Sequence, residues 1–391
     1  MTHRRTVLKG VLGLALAASV SSAALAQEAL KIGLILPMTG PFASTGRQIE
    51  AAVKLFLAKE GAVHGGRKLE VILKDDAGNA DATRRLAQEL VVNDKVSVLA
   101  GFGLTPLAMA TAQIATQAKV PQIVMAAATA TITEASPYIA RTSFTLPQAS
   151  EPMADWAWAN GIKKVFTVVT DYGPGIDAET SFANKFKAAG GTVESVRVPL
   201  RGPDFAPFLQ RVSEAKPDAL FVFVPSGVGA QFMKQFVERG LDKAGIKLIG
   251  PGDVVDDDIL QGIGDVALGA ITTHHYSAAH DSPANKAFVE AFQKANPGMR
   301  PNFMAVGGYD GTALIAKALE ATKGDANGDK LIAAMKGASW ESVRGPVKID
   351  PDTRDIIQNI YVRKTEKVGS ELHNVEFATI KDVKDPVKAR K

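Results

Sequence analysis

The stretch Leu30–Leu57, LKIGLILPMTGPFASTGRQIEAAVKLFL, decides the fold. Leu30–Leu36 is mostly apolar and reads as a buried strand. Pro37–Gly46 is rich in Pro, Gly, Ser and Thr and reads as a loop. Beyond it, Ile49, Ala52, Val53, Phe56 and Leu57 recur at i, i+3, i+4, i+7 and i+8, the stripe of a helix packed on a sheet. A strand–loop–helix unit sets a hydroxyl-bearing loop at the carboxyl end of a strand, where open α/β sheets bind ligands. Such an opening behind an export signal points to capture of a small molecule rather than to its transformation.

The export signal is Met1–Ala26. It carries Arg4, Arg5 and Lys9 with no acidic residue, an apolar run Val11–Val20, and the small-residue end Ala24-Leu25-Ala26. The run is shorter than the roughly 20 residues of a spanning helix, so cleavage after Ala26 and a periplasmic location are expected. His3–Lys9 resembles a twin-arginine signal, leaving the general and twin-arginine export routes both open. These 26 residues hold three of the four net positive charges, so the remainder is nearly neutral and shows no nucleic-acid footprint. The chain has no cysteine, which excludes disulfides, thiol catalysis, thiolate metal sites and a lipidated cysteine. Its length of 391 residues suffices for two domains, each with a core.

Apolar strand patterns alternate with helical stripes along most of the chain, which argues for parallel sheets covered by helices. Strands are expected at Leu69–Leu73, Val96–Gly101 and Val120–Met125, with helices from Asp81 and over Pro106–Lys119. Arg141–Glu151, RTSFTLPQASE, breaks the pattern as a polar extended link. A second block follows, with strands at Val165–Val169, Val193–Val198, Ala219–Val224, Lys247–Ile249 and Ala270–Thr273. Its helices are Asp177–Ala189, Phe205–Ala215 and Gly229–Arg239. Helical stripes at Asn285–Ala295, Asn302–Thr322 and Leu331–Met335 precede late strands at Gly345–Asp350 and Gln358–Thr365. The terminal KDVKDPVKARK reads as a frayed, solvated tail.

The string KIGLILPMTGPFASTG, then Gly65–Leu69, Asp75-Asp76, Val120-Pro121, Asp171-Tyr172-Gly173 with Gly175, Lys216-Pro217-Asp218 and Tyr309-Asp310, resembles the branched-chain-amino-acid-type substrate-binding proteins of bacterial ABC importers. The match runs collinearly over the chain behind its signal. It implies a type I periplasmic binding fold, α/β, with two Rossmann-like lobes of mainly parallel sheet joined by three hinge crossovers. The N-terminal lobe would be 29–146 plus 279–344, and the C-terminal lobe 147–278 plus 345–391. The implied partners are a small carboxylate and an inner-membrane ABC permease, with the protein a monomer and no cofactor, metal or nucleic acid involved.

Gly101–Pro106 closes a strand and opens a helix. A helix N-terminus offers unpaired N–H groups and partial positive charge to an anion, and the resemblance puts the ligand carboxylate there with the hydroxyl of Thr105. Capping of its own helix is the competing role for Thr105. Ala126-Ala127-Ala128-Thr129 follows the next strand. Its small residues let a ligand near the backbone, and Thr129 aligns with a second carboxylate-binding threonine, beside Ala127 and Ala128. From the other lobe, Tyr172 would close over the ligand, Ser226 would face the cleft edge, and Asp253 falls near the acid that meets an ammonium in amino-acid binders. Asp256, Asp257 and Asp258 read as charges at a helix start. The family often has an aromatic in the first loop, whereas Ala43-Ser44-Thr45 has none. Thr45 still offers a hydroxyl, and Tyr309 or Phe102 would supply the ring. The expected cargo is a branched-chain or other apolar amino acid, with aromatic or aliphatic acids as the alternative.

Two rival classes stand against this reading. His274, His275, His280 and Asp281 have metal-ligand chemistry, but adjacent histidines on a strand face opposite ways. No H-E-x-x-H, G-x-S-x-G, Walker loop or G-x-G-x-x-G after the first strand marks an enzyme, and Gly173-Pro174-Gly175 suits a lid loop. A ligand sensor docking on a receptor would use the same fold.

Overall fold

In the computed structural model, which describes residues 28–390, Leu30–Leu36 is a strand at the centre of a six-stranded sheet. The order is Val63–His64, Arg67–Asp75, Leu30–Leu36, Val98–Gly101, Gln122–Val124 and Ile139–Arg141. All neighbours run parallel except the first two, which form a hairpin. The export signal lies outside the described residues. The first helix, Ala43–Lys59, begins inside the expected loop and buries Ile49, Ala52, Val53 and Phe56. Burying a large apolar side chain such as Ile49 or Phe56 contributes roughly 1.5–3 kcal/mol.

The second sheet has nine strands. Thr192–Val198, Lys164–Thr170, Ala219–Phe223, Lys247–Gly250 and Ile271–His274 run parallel. Ile356–Val368, Gly345–Ile349 and Ser339–Ser342 extend it antiparallel, and Glu371–Val383 pairs with Ile356–Val368. The chain leaves the first sheet after Arg141, returns after His274 with the helices Pro283–Ala295, Phe303–Ala321 and Gly328–Met335, and re-enters the second at Ser339. The boundary expected at Arg344 therefore falls inside a hairpin. Gly307 shows why one returning helix fits the first sheet so closely: a Cβ there would collide with the Met125 carbonyl oxygen. The fold is a type I periplasmic binding fold, an α/β architecture of two lobes.

Three local expectations are corrected. The link over Arg141–Glu151 contains the start of a helix, Leu146–Ala159, in which the Gln148 side chain accepts the Thr145 N–H at 2.9 Å. Gly173-Pro174-Gly175 is the first turn of the helix Gly173–Ala188 and no lid loop. The terminal segment is docked, not frayed. Glu371–Val383 is a strand, Asp385 caps a short helix Pro386–Ala389, and the buried Lys388 ammonium meets Asp355 at 2.5 Å and the Thr133 hydroxyl at 2.6 Å. Among the described residues no helix is long and apolar enough to cross a membrane.

Candidate ligand-binding site

The first wall of the cleft is the loop after Leu36. Asp75 holds it by accepting from the Met38 N–H at 2.9 Å and the Thr39 hydroxyl at 2.7 Å. Burial raises the Asp75 pKa, but these bonds and one from Ala77 outweigh it and leave the carboxyl below its ordinary range. The loop delivers Phe42 and Thr45 to a small cavity between the lobes, of about 30 Å³. Beside them, Leu104, not Thr105, is the N-cap residue of the helix Thr105–Ala118. The Thr105 hydroxyl does not cap. It lies 2.7 Å from the hydroxyl of Thr129. Phe102 is corrected out of the cleft: its left-handed backbone (φ 67°) turns the ring into a buried cluster with Ile35, Leu90 and Val124.

Arg141, which the sequence reading missed, shapes the Ala126–Thr129 loop. Its guanidinium is fully buried, pairs with Asp355 at 2.9 Å, and donates to the carbonyls of Ala127 (3.3 Å), Phe144 (3.1 Å) and Thr129 (2.8 Å). The Ala128 carbonyl accepts from the Leu146 N–H at 3.1 Å. Three successive carbonyl oxygens are thus tied down behind the loop, removing acceptors that would repel an anion. Ala126, Ala127 and Ala128 line the cavity.

The opposite wall comes from the second lobe. Tyr172 and Pro174 begin the helix Gly173–Ala188, Ser226 begins Ser226–Glu238, Phe223 ends the strand Ala219–Phe223, and Asp253 follows the strand Lys247–Gly250. The helices starting at Ala43, Thr105, Gly173 and Ser226 all present their N-termini here. None has an acid in its first turn or a side-chain cap among the described residues. Each terminus carries roughly half a positive charge, so the cavity is set up for an anion although no lysine or arginine lines it.

Much of the lining is aromatic. Tyr172 and Phe223 stack at 6.2 Å between centroids, and Phe144 meets Phe303 edge-on at 5.8 Å. The sequence reading missed Phe42, Phe144, Phe223 and Phe303. Phe42, immediately before Ala43-Ser44-Thr45, supplies the first-loop ring. Phe223 ends a strand, so the strand-end rule that found Ser226 could have found it.

Polar groups without partners gather on the second-lobe side. Among the described residues Ser226 Oγ, Asp253 Oδ2, His274 Nε2 and both ring nitrogens of His275 have no hydrogen-bond partner. Burial pushes the Asp253 pKa up to about 7 against the pull of its own backbone N–H and Arg363. Burial and the nearby Asp253 push the Tyr172 phenol up as well. Both histidines fall well below the ordinary range, chiefly through burial, with nearby Arg363 and Arg344 adding to it. Their rings do not face apart, as alternation had suggested. The strand ends at His274, and the rings sit 4.4 Å apart, both packed on Phe144. Among the described residues no group of three or more His, Cys, Asp or Glu is arranged to hold a metal.

Two further expectations move. Tyr309 lies in a separate outer cavity, its hydroxyl donating to Glu60 at 3.0 Å and its ring edge-on to Phe56. The helix Phe303–Ala321 turns it away from the cleft. Asp256, Asp257 and Asp258 are not solvated helix-start charges. Asp256 accepts from Asn302 at 2.7 Å, Asp257 accepts the Ala278 N–H at 3.2 Å, and Asp258 accepts the Ser44 hydroxyl. The Ser44–Asp258 bond crosses the cleft, as do Arg201 to the Gly78 carbonyl (2.6 Å) and the Ala130 N–H to Asp177 (2.7 Å). The lobes are closed on each other.

A family model described as periplasmic binding protein matches residues 29–370. A Leu/Ile/Val-binding protein homolog of Brucella melitensis is 44% identical over 94% of this chain and 96% of its own. An ABC-transporter solute-binding protein of Rhodopseudomonas palustris BisB5, solved with 3,4-dihydroxybenzoic acid, is 63% identical with a TM-score of 0.90, covering 92% of this chain and 99% of that one. Another from Rhodopseudomonas palustris HaA2, solved with p-hydroxybenzoic acid, is 44% identical with a TM-score of 0.90, over 93% and 100%. With its closed two-lobed cleft, this chain belongs to the periplasmic binding proteins of leucine-binding type and is a solute-binding protein of an ABC transporter.

Proposed function

We propose that the cleft captures an aromatic carboxylate and presents it, lobes closed, to an inner-membrane ABC permease. The observation that carries this reading is the lining itself: five aromatic side chains, Phe42, Phe144, Tyr172, Phe223 and Phe303, around a cavity ringed by uncapped helix N-termini. Thr105 and its neighbour Thr129 hold the carboxylate with the amides of Ala128 and Thr129. Hydrogen bonds to a charged group contribute roughly 1.5–3 kcal/mol each, and aromatic pairs about 0.5–1.5 kcal/mol beyond burial. Against an association cost of at least about 4 kcal/mol, such contacts suffice for micromolar binding, about 8 kcal/mol. The relatives solved with hydroxybenzoic acids support this choice.

The Brucella relative's name and the acid at Asp253 favour a second reading, a branched-chain amino acid. Under either reading the two lobes are hinged at the three crossings, the last of them ahead of Ser339 rather than at Arg344. The protein works as a periplasmic monomer released by cleavage after Ala26. It binds and does no chemistry on its cargo. Thermal melting against benzoate, hydroxybenzoates, aliphatic acids and leucine tests the choice, since a ligand at 100 times its Kd adds about 2.7 kcal/mol. A rise with the aromatic acids and none with leucine supports the first reading, and the reverse pattern replaces it with the second.

A further inference from the structure

We infer that Asp253 and Ser226, backed by His274, form a subsite for a ring hydroxyl, so that the cavity selects hydroxylated benzoates over benzoate itself. This inference rests on the aromatic-acid reading and adds what the second lobe discriminates.

Asp253 and Ser226 both line the cavity and are 5% and 6% exposed. Asp253 Oδ2 and Ser226 Oγ have no hydrogen-bond partner among the described residues. Ser226 is not engaged as a cap, because Pro225 occupies that position and no side-chain bond is made there. His274 Nε2, 3.9 Å from Asp253 Oδ2, is too distant to satisfy it. Buried polar atoms are ordinarily paired, and a pair left open in a cavity wall calls for a ligand group that completes it.

The chemistry of the missing group follows from its neighbours. It must donate to a carboxylate oxygen and pair with a serine hydroxyl, and one O–H does both while giving the Ser226 proton an acceptor. An ammonium can donate to both oxygens but leaves the Ser226 proton unpaired. It would also sit at the positive end of the helix Ser226–Glu238 and on the side of Asp253 that Arg363 approaches, where a Cβ on Gly252 would collide with Arg363 Nη2. The raised pKa of Asp253 agrees with a carboxyl that shares a proton with a neutral partner more readily than it holds a cation. The rings of Tyr172, Phe223 and Phe144 fill the rest of this end, so a ligand without the hydroxyl leaves both polar atoms dry and unpaired. Sites built in this way discriminate strongly against the analogue that lacks the group.

Isothermal titration of the signal-cleaved protein with benzoate, 3- and 4-hydroxybenzoate, 3,4-dihydroxybenzoate and leucine tests the subsite, using wild type, Ser226→Ala and Asp253→Ala. The wild type is expected to favour at least one hydroxybenzoate over benzoate by tenfold or more, and each variant to cut that ratio at least threefold. If Asp253→Ala does not fold, Ser226→Ala alone decides, because it removes one exchangeable oxygen. Equal affinity for benzoate and every hydroxybenzoate overturns the subsite and leaves the aromatic-acid reading standing. So does a tenfold preference that both variants retain. Binding of leucine with no response to any benzoate overturns both.

Discussion

Gly227→Ala separates closure of the lobes from contact with the ligand. Gly227 is the second residue of the helix Ser226–Glu238, and a Cβ there would stand 2.5 Å from the Pro41 carbonyl oxygen of the opposite lobe, with Phe42 Cδ1 at 3.5 Å. The oxygen belongs to backbone braced by Asp75, so the lobes must part by several tenths of an ångström to admit the methyl. Overpacking of this kind costs about 1–3 kcal/mol, and here only the closed form bears it. Ligand affinity should therefore fall roughly 5–150-fold, because every 1.4 kcal/mol is tenfold and ligand draws on the closed state. In the open form alanine is the better helix former by up to about 1 kcal/mol, so the unliganded melting temperature should hold or rise. Calorimetric titration and an unliganded melt read the two effects separately. Gly262→Ala serves as the control, since nothing lies within 4 Å of its added carbon. Affinity within twofold of wild type, or a lower unliganded melting temperature, would refute the closure argument.

Thr129→Val removes the hydroxyl that meets Thr105 at 2.7 Å. Loss of one bond to a carboxylate should weaken binding about 10–150-fold by titration, and a change under threefold would take Thr129 out of the clamp. Burial pushes the Asp253 carboxyl up to about 7 from the ordinary 3.8, so between these pH values the native state holds a proton that the unfolded chain has released. Its contribution to stability thus falls as pH rises through that window. Asp253→Asn should match wild type near pH 4 and gain up to about 4 kcal/mol by pH 8 in denaturant unfolding. A gain that is the same at both pH values would contradict the assignment. Tyr309→Phe should cost about 1 kcal/mol through its lost bond to Glu60 and leave affinity within twofold, whereas a tenfold loss of affinity would return Tyr309 to the site.

Where one period dominated the sequence, the fold was legible. Leu30–Leu36 and the stripe from Ile49 announced a strand and a helix, and strand-end reasoning pointed to Thr105 and Ser226, which line the cavity, while Asp253 and Thr129 were suggested by the resemblance alone. Leu146–Ala159 was hidden because the polar stretch over its start contains Pro147, which read as a breaker, although proline is tolerated in a first helical turn. Glu371–Val383 was hidden because an edge strand exposed along much of its length lacks apolar alternation. The aromatic walls were harder still. Phe42, Phe144 and Phe303 come from loops and helix starts far apart in sequence, and only the folding of the first lobe brings them together. Arg141 gave no local signal, since its partners are backbone carbonyls and Asp355, 214 positions away. Tyr309 and Phe102 misled for the opposite reason: both lie beside cleft segments, but helix phase and a left-handed backbone turn their rings elsewhere.

A crystal structure of the signal-cleaved protein grown with 4-hydroxybenzoate tests the central claim most directly. The account predicts the ring between Tyr172, Phe223 and Phe144, the carboxylate within about 3 Å of the Thr105 and Thr129 hydroxyls, and the ring oxygen on Asp253 and Ser226. A carboxylate turned toward Asp253, or a cleft that stays empty with 4-hydroxybenzoate while crystals grown with leucine fill it, would contradict it.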